Sequence, residues 1–182
     1  MARVPYVGEM AGSGPNELQD IYGYITEHRG SVINLYRAIA NQPNALRAFM
    51  DTSRYIREGS ELPPRLRELA TLATAYVLDA PYERLHHIPI ARRVGVTEEQ
   101  LAAFPRWQDH DCFSPVERAV LAYADQVART RDVDDATFAA VREHLSVGAT
   151  IDLVLTVGWY HCVAAILGPL HVDLEAKYLP PS

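Results

Sequence analysis

The chain has 182 residues, 48% of them hydrophobic and 22% charged, which is the composition of a globular protein long enough to bury a substantial core in one domain. Its formal net charge of −6 offers a phosphate backbone nothing to hold, so nucleic acid is not an expected partner. No apolar run approaches the ~20 residues of a membrane span, and the N-terminus MARVPYVGEM lacks the apolar core of a secretory signal.

Residues 1–15 contain Pro5, Gly8, Gly12, Gly14 and Pro15, and so predict an extended N-terminal arm, either a free tail or a clasp on a neighbouring subunit. Residues 16–182 then read as a single all-helical domain. Asn16 with Gln19 has the spacing of a capping box, and Ile21, Tyr24 and Ile25 follow at helical period up to Gly30. Ser31 can cap a second helix bearing Val32, Leu35, Tyr36 and Ile39, which Pro43 stops. Asn44 opens a third, with Leu46, Phe49, Met50 and Ile56 for burial, and Gly59 ends it. Leu62-Pro63-Pro64 leads into a helix with Leu66, Leu69, Leu72, Ala73, Tyr76 and Val77 on its apolar stripe. After the turn Asp79-Ala80-Pro81, the next helix runs from about Tyr82 to Val94, with Pro89 inside it as a source of a kink. Thr97 and Gln100 form a capping box, Pro105 to Phe113 a polar rim or lid around Trp107, and Ser114-Pro115-Val116-Glu117 another helix start. Asp134 or Asp135 opens a further helix. The last long one, from about Gly148 to Leu167, is apolar nearly all round, which places it at the centre or in a subunit interface. Gly158, mid-helix at a cost of about 1 kcal/mol relative to Ala, points to a close helix contact. With seven to nine helices, short connections and almost no period-two alternation, the class is all-α.

The chemistry concentrates in RLRELATLATAYVLDAPYERLHHIPIARRVG, from Arg65 to Gly95. Glu83 and His87, four residues apart, share one helix face and form either a proton-transfer pair or a surface ion pair. Glu68 is either a second acid or a first-turn glutamate that favours the helix dipole. On a straight hairpin, Glu68 and His87 are offset by several ångströms along the axis, so contact needs tilt, long side chains or a bridging water. Tyr82, His86 and Arg84 stand beside the pair as candidate substrate contacts, and Arg84 or Arg65 is the cation available to a substrate carboxylate. Glu83-x-x-His86 is half of a di-iron motif, but the chain has no second copy of it, so neither a metal nor another cofactor is expected. Cys112 and Cys162 stand fifty residues apart, with no metal or Cys-x-x-Cys spacing, which suggests a reducing cytoplasm and argues against thiol redox chemistry. His161 and His171 read as core or cap histidines.

The run RLRELATLATA followed by PYERLHHIPIARRVGVTEEQ resembles the carboxymuconolactone decarboxylase and alkyl hydroperoxidase D-like superfamily. GSVINLYRAIANQPNALRAF upstream, and FSPVERAVLAYADQVA and VLTVGWYHCVAAIL downstream, extend the similarity over roughly residues 30 to 175. The resemblance implies an alkyl hydroperoxidase D-like helical bundle. Laid on the peroxidase branch, its glutamate falls on Glu68, its histidine on His87, and its two cysteines on Ala80 and Glu83. The chain therefore resembles a branch without the cysteine pair, and Glu83 with His87 matches the Glu-x-x-x-His pattern of the decarboxylases. By resemblance the protein is expected to be a cofactor-independent lyase or isomerase that acts on a small carboxylated lactone or carbonyl compound, of the kind used in aromatic-compound catabolism. His87 would then be the general acid–base, Glu83 would orient it, and Glu68 would relay protons through water. The alternatives are a peroxidase-like antioxidant protein without the dithiol and a non-catalytic small-ligand binder. The apolar last helix and the N-terminal arm point to a homo-oligomer, and the resemblance implies a trimer or hexamer.

Overall fold

The computed structural model describes residues 2–8 and 16–179. Among the described residues there are nine α-helices and no strand, so the all-α expectation holds. The helices are α1 (Asn16–Arg29), α2 (Asn34–Ile39), α3 (Pro43–Arg54), α4 (Pro64–Val77), α5 (Pro81–Arg93), α6 (Glu98–Ala103), α7 (Pro115–Thr130), α8 (Asp135–His144) and α9 (Val147–Leu170). A π-helical turn, Tyr55–Gly59, follows α3, and short 3-10 turns cover Phe104–Asp109 and Ala176–Tyr178.

Local signals explain most boundaries. Thr97 and Gln100 close a reciprocal capping box at α6, Ser114 and Glu117 do so at α7, and the Asp134 side chain accepts from Thr137 N at α8. Pro64, Pro81 and Pro115 open their helices, where a missing N–H costs nothing. Pro43 departs from expectation, because it opens α3 rather than merely ending α2. The π-helical turn at Tyr55–Gly59 replaces the simple stop expected at Gly59. The side chain of Asn16, and with it the proposed first capping box, lies outside the described residues, as do arm residues 9–15.

The chain divides into two compact units, Ile56–Ala165 and Met1–Tyr55 with Ile166–Ser182. In the larger unit α4 packs against α5 and α7, and α7 against α8. Its core gathers Leu69, Leu72, Phe104, Val120, Leu121 and Leu153. Arg65 fastens three elements to the start of α4. Its Nε donates to Glu117 Oε1 at 2.7 Å, its Nη2 to Gln100 Oε1 at 2.6 Å, and its Nη1 to the Gly95 carbonyl. In the smaller unit Arg29 Nη1 donates to Tyr36 Oη at 2.7 Å and to Ser53 Oγ at 3.0 Å. Arm residues 2–8 contain no helix and are held by their own chain: Arg3 N donates to Leu170 O at 2.9 Å, and Tyr6 Oη to Asp173 Oδ2 at 3.1 Å.

The expectation that no apolar run approaches the length of a membrane span is corrected by the last helix. With 24 residues and a mean hydropathy of 1.7 over its most apolar stretch, α9 is by length and composition long and apolar enough to cross a membrane. Its inner face nonetheless belongs to the core of the larger unit through Ala149, Leu153 and Val157, and it buries Asp152 and Thr156. Gly158 is exposed, and a Cβ there meets nothing within 4 Å, so no contact within the chain requires a glycine.

Candidate active site

The turn between α4 and α5 sets the site's register. Leu78 N donates to Thr74 O at 3.0 Å, Asp79 takes φ 46°, and Ala80 N returns to Ala75 O at 2.9 Å. The left-handed conformation at Asp79 is one that aspartate tolerates better than most residues. Pro81 then starts α5, so that Glu83 and His87 lie one turn apart on its inner face.

His87 and Glu68 meet directly. His87 Nδ1 lies 2.6 Å from Glu68 Oε2, so the axial offset expected from the hairpin is closed by the side chains. Glu83 Oε2 stands 3.6 Å from His87 Nε2, on the other side of the ring. Glu68, Glu83 and His87 are 1%, 4% and 2% exposed, which rules out a surface ion pair for Glu83–His87. The direct partner of the imidazole is therefore Glu68, in the place where the sequence reading put Glu83, and no bridging water is needed between them.

The surroundings push the two carboxyls apart. Burial alone raises Glu68, but the charge and hydrogen bond of His87, with Arg57 and Arg67, outweigh it and hold the carboxyl below the ordinary carboxylate range. Glu83 rises: burial dominates, the charge of Glu68 adds to it, and His87, His86 and Arg57 only partly offset it. An anionic Glu68 accepts from Nδ1 when that nitrogen carries a proton, and Nε2 is the ring nitrogen that faces Glu83. Carboxyls displaced in opposite directions around one imidazole are a recognisable acid–base arrangement.

Several participants were not evident from spacing. Tyr160 of α9 sets its ring edge-on to His87, 4.9 Å between centroids at 86°. Burial raises its phenol far above the usual value, so it remains a proton donor. Arg67 Nε donates to Glu68 Oε1 at 3.3 Å, and its Nη1 reaches the Arg57 carbonyl at 3.1 Å, which ties Glu68 to the π-helical turn. Such turns often occur at functional positions. Thr71 is fully buried one turn after Glu68. Tyr160, on a distant apolar helix, carried no comparable signal.

The candidate substrate contacts separate. Tyr82 is buried and stacks on His86, 4.2 Å between centroids at 17°, and the charge of His86 bears on Glu83. Arg84 is directed elsewhere: its Nη1 lies 3.1 Å from Asp79 Oδ1, and its guanidinium lies 5.1 Å from the Tyr76 ring centre. Arg65 is engaged with Glu117, Gln100 and Gly95. The cations whose charge reaches the acid–base array are Arg57 and Arg67. Among the described residues, no three His, Cys, Asp or Glu side chains are grouped as metal ligands.

The fold and the site define an all-α protein in which a helical hairpin buries an imidazole between two glutamates. The carboxymuconolactone decarboxylase family model matches residues 43–126. The match covers 84 of the 182 residues, and over that segment the chain is similar to the carboxymuconolactone decarboxylase family; Ala80 and Glu83 stand where the sequence resemblance puts the two cysteines of the peroxidase branch. YdfG of Bacillus subtilis strain 168 is 26% identical over 117 residues, 63% of this chain and 79% of its own. The alkylhydroperoxidase AhpD core protein of Ralstonia eutropha JMP134, peroxidase-related, superposes with a TM-score of 0.83 at 19% identity, over 97% of this chain and 93% of that one. The debrominase Bmp8, solved with 2,3,4-tribromopyrrole, superposes with a TM-score of 0.81 at 19% identity, over 97% and 95%. At this identity the two structures share the fold.

Proposed function

We propose that the protein is a cofactor-independent lyase or isomerase whose acid–base centre is His87, acting on a small carboxylated lactone or related carbonyl compound. The observation that carries this reading is the imidazole held between a carboxyl lowered by its partners and one raised by burial. In a decarboxylation, the breaking C–C bond leaves its electron pair delocalised into a conjugated carbonyl. A proton must then reach carbon. The proton available between Glu83 and His87 Nε2 fits that need, Glu68 fixes the tautomer, and the Tyr160 phenol can donate to a developing enolate. Glu83 ends the step as a carboxylate and recovers its proton from solvent. The dithiol peroxidase alternative finds no thiol at either position of its cysteine pair. The test is turnover of β-keto acids and carboxylated lactones, followed by CO2 release and substrate absorbance. His87→Ala is expected to lose about 10²- to 10⁴-fold in kcat; unchanged turnover removes His87 from the mechanism.

We further propose that the chain assembles with copies of itself through the outer face of α9. The support is a stripe of exposed Val147, Ile151, Val154, Leu155, Gly158 and Cys162 running along one side of the helix without a charged residue.

A further inference from the structure

A concavity lies within the larger unit, a cleft of about 370 Å³ at the C-terminal end of α4. It uses a different face of that helix from the acid–base array. Ala73, Tyr76 and Val77 line it, roughly 80–180° around α4 from Glu68 at 100° per residue. Its volume falls in the range of small-molecule sites. One wall is aromatic: Tyr76 and Phe104 lie nearly parallel, 5.5 Å between centroids at 9°, and Trp107 adjoins them. Trp107 is 9% exposed and its indole Nε1 has no hydrogen-bond acceptor.

The polar groups at this cleft are unequal. Arg129 is held by Asp125 through two hydrogen bonds, at 2.8 and 3.0 Å, so both partners are satisfied. Arg84 makes one 3.1 Å contact with Asp79, whose side chain is 91% exposed. A pair of that kind is worth little and is readily exchanged. The Arg84 guanidinium also sits over Tyr76, next to the aromatic wall.

From this asymmetry we infer a second binding site, separate from the acid–base array, for a small planar aromatic carboxylate. The ring lies against Tyr76 and Trp107, and the carboxylate takes Arg84 from Asp79, replacing a solvent-exposed ion pair with a charge-assisted bond at the edge of an apolar wall. The site adjoins the turn that precedes α5. This inference stands on the cleft alone and does not depend on the proposed reaction.

The experiment is a benzoate titration of the full-length ¹⁵N-labelled protein, following the indole N–H resonance of Trp107, assigned by loss of the other indole signal in Trp159→Phe. Benzoate is expected to shift the Trp107 signal saturably, with benzamide binding about tenfold more weakly. Arg84→Gln weakens benzoate to the same extent, Asp79→Asn tightens it several-fold by freeing Arg84, and His87→Ala leaves it unchanged. The inference is overturned if Trp107 does not respond at millimolar benzoate, if benzamide binds equally well, or if binding survives Arg84→Gln but is lost in His87→Ala.

Discussion

Glu68 and Glu83 share one histidine, yet they respond to pH in opposite senses. Glu83 is raised, so the native state holds its proton more tightly than the unfolded chain does. Its contribution to stability is complete below the ordinary carboxylate value of about 4.3 and declines as pH rises through the folded value. Glu68 is lowered, so its contribution is present above that ordinary value and is lost as pH falls through the folded one. Thermal denaturation across pH separates the two. The Tm of Glu83→Gln relative to the parent is expected to increase from acid to alkaline pH, whereas Glu68→Gln is expected to lie furthest below the parent at neutral pH and to approach it in acid. A pH-independent difference for Glu83→Gln means that this carboxyl titrates as it does in the unfolded chain. Glu68 was singled out through the family resemblance, and Glu83 and His87 were legible in the sequence because i, i+4 spacing on a helix implies proximity. The direct Glu68–His87 bond was not, because axial offset says nothing about where two long side chains end. Arg84 shows the reverse: adjacent in sequence to Glu83, it turns round the helix to Asp79 and Tyr76.

Polar clamps, beside the core, tie elements to one another. Glu117 closes the α7 capping box through Ser114 N at 2.9 Å, receives Arg65 Nε at 2.7 Å, and is 5% exposed. Gln100 caps α6 and also donates to the Cys112 carbonyl at 2.8 Å. Removing Glu117 leaves the Arg65 guanidinium without its carboxylate and opens a helix start. Glu117→Ala is expected to lose about 2 kcal/mol in urea unfolding, the scale of charge-assisted hydrogen bonds lost at a part-buried pair together with a helix cap. A loss below about 1 kcal/mol, the scale of an exposed pair, means the clamp is dispensable. The two capping boxes were legible because each is a local pattern of four residues. The clamp joining them was not, since Arg65 reaches Glu117 across 52 positions of sequence.

For the whole molecule, the unexplained feature is the outer face of α9. Ile151 and Leu155 are 53% and 45% exposed, and Gly158 sits among them with open space at its Cβ position. A mid-helix glycine is costly in isolation, and a close approach by a second copy of the chain accounts for both observations. Sedimentation at micromolar concentration is expected to show a species well above the 20.3 kDa of one chain. Ile151→Glu with Leu155→Glu is expected to shift it toward that mass by placing charges in the interface. A parent protein sedimenting as a single chain overturns the assembly.

The sequence by itself determined the helical class, most of the helix starts and the identities of the residues that meet around His87. These depend on 3.6-residue periodicity, caps and short-range spacing, all of which act within a few turns of chain. Tertiary structure alone decided that Glu68 rather than Glu83 holds His87, that Tyr160 closes over the ring, that Arg84 leaves the site for a separate cleft, and that Gly158 faces outward. Each of these depends on which side chains from distant helices share a low-dielectric space, and burial and charge there set the proton affinities that local patterns cannot reveal.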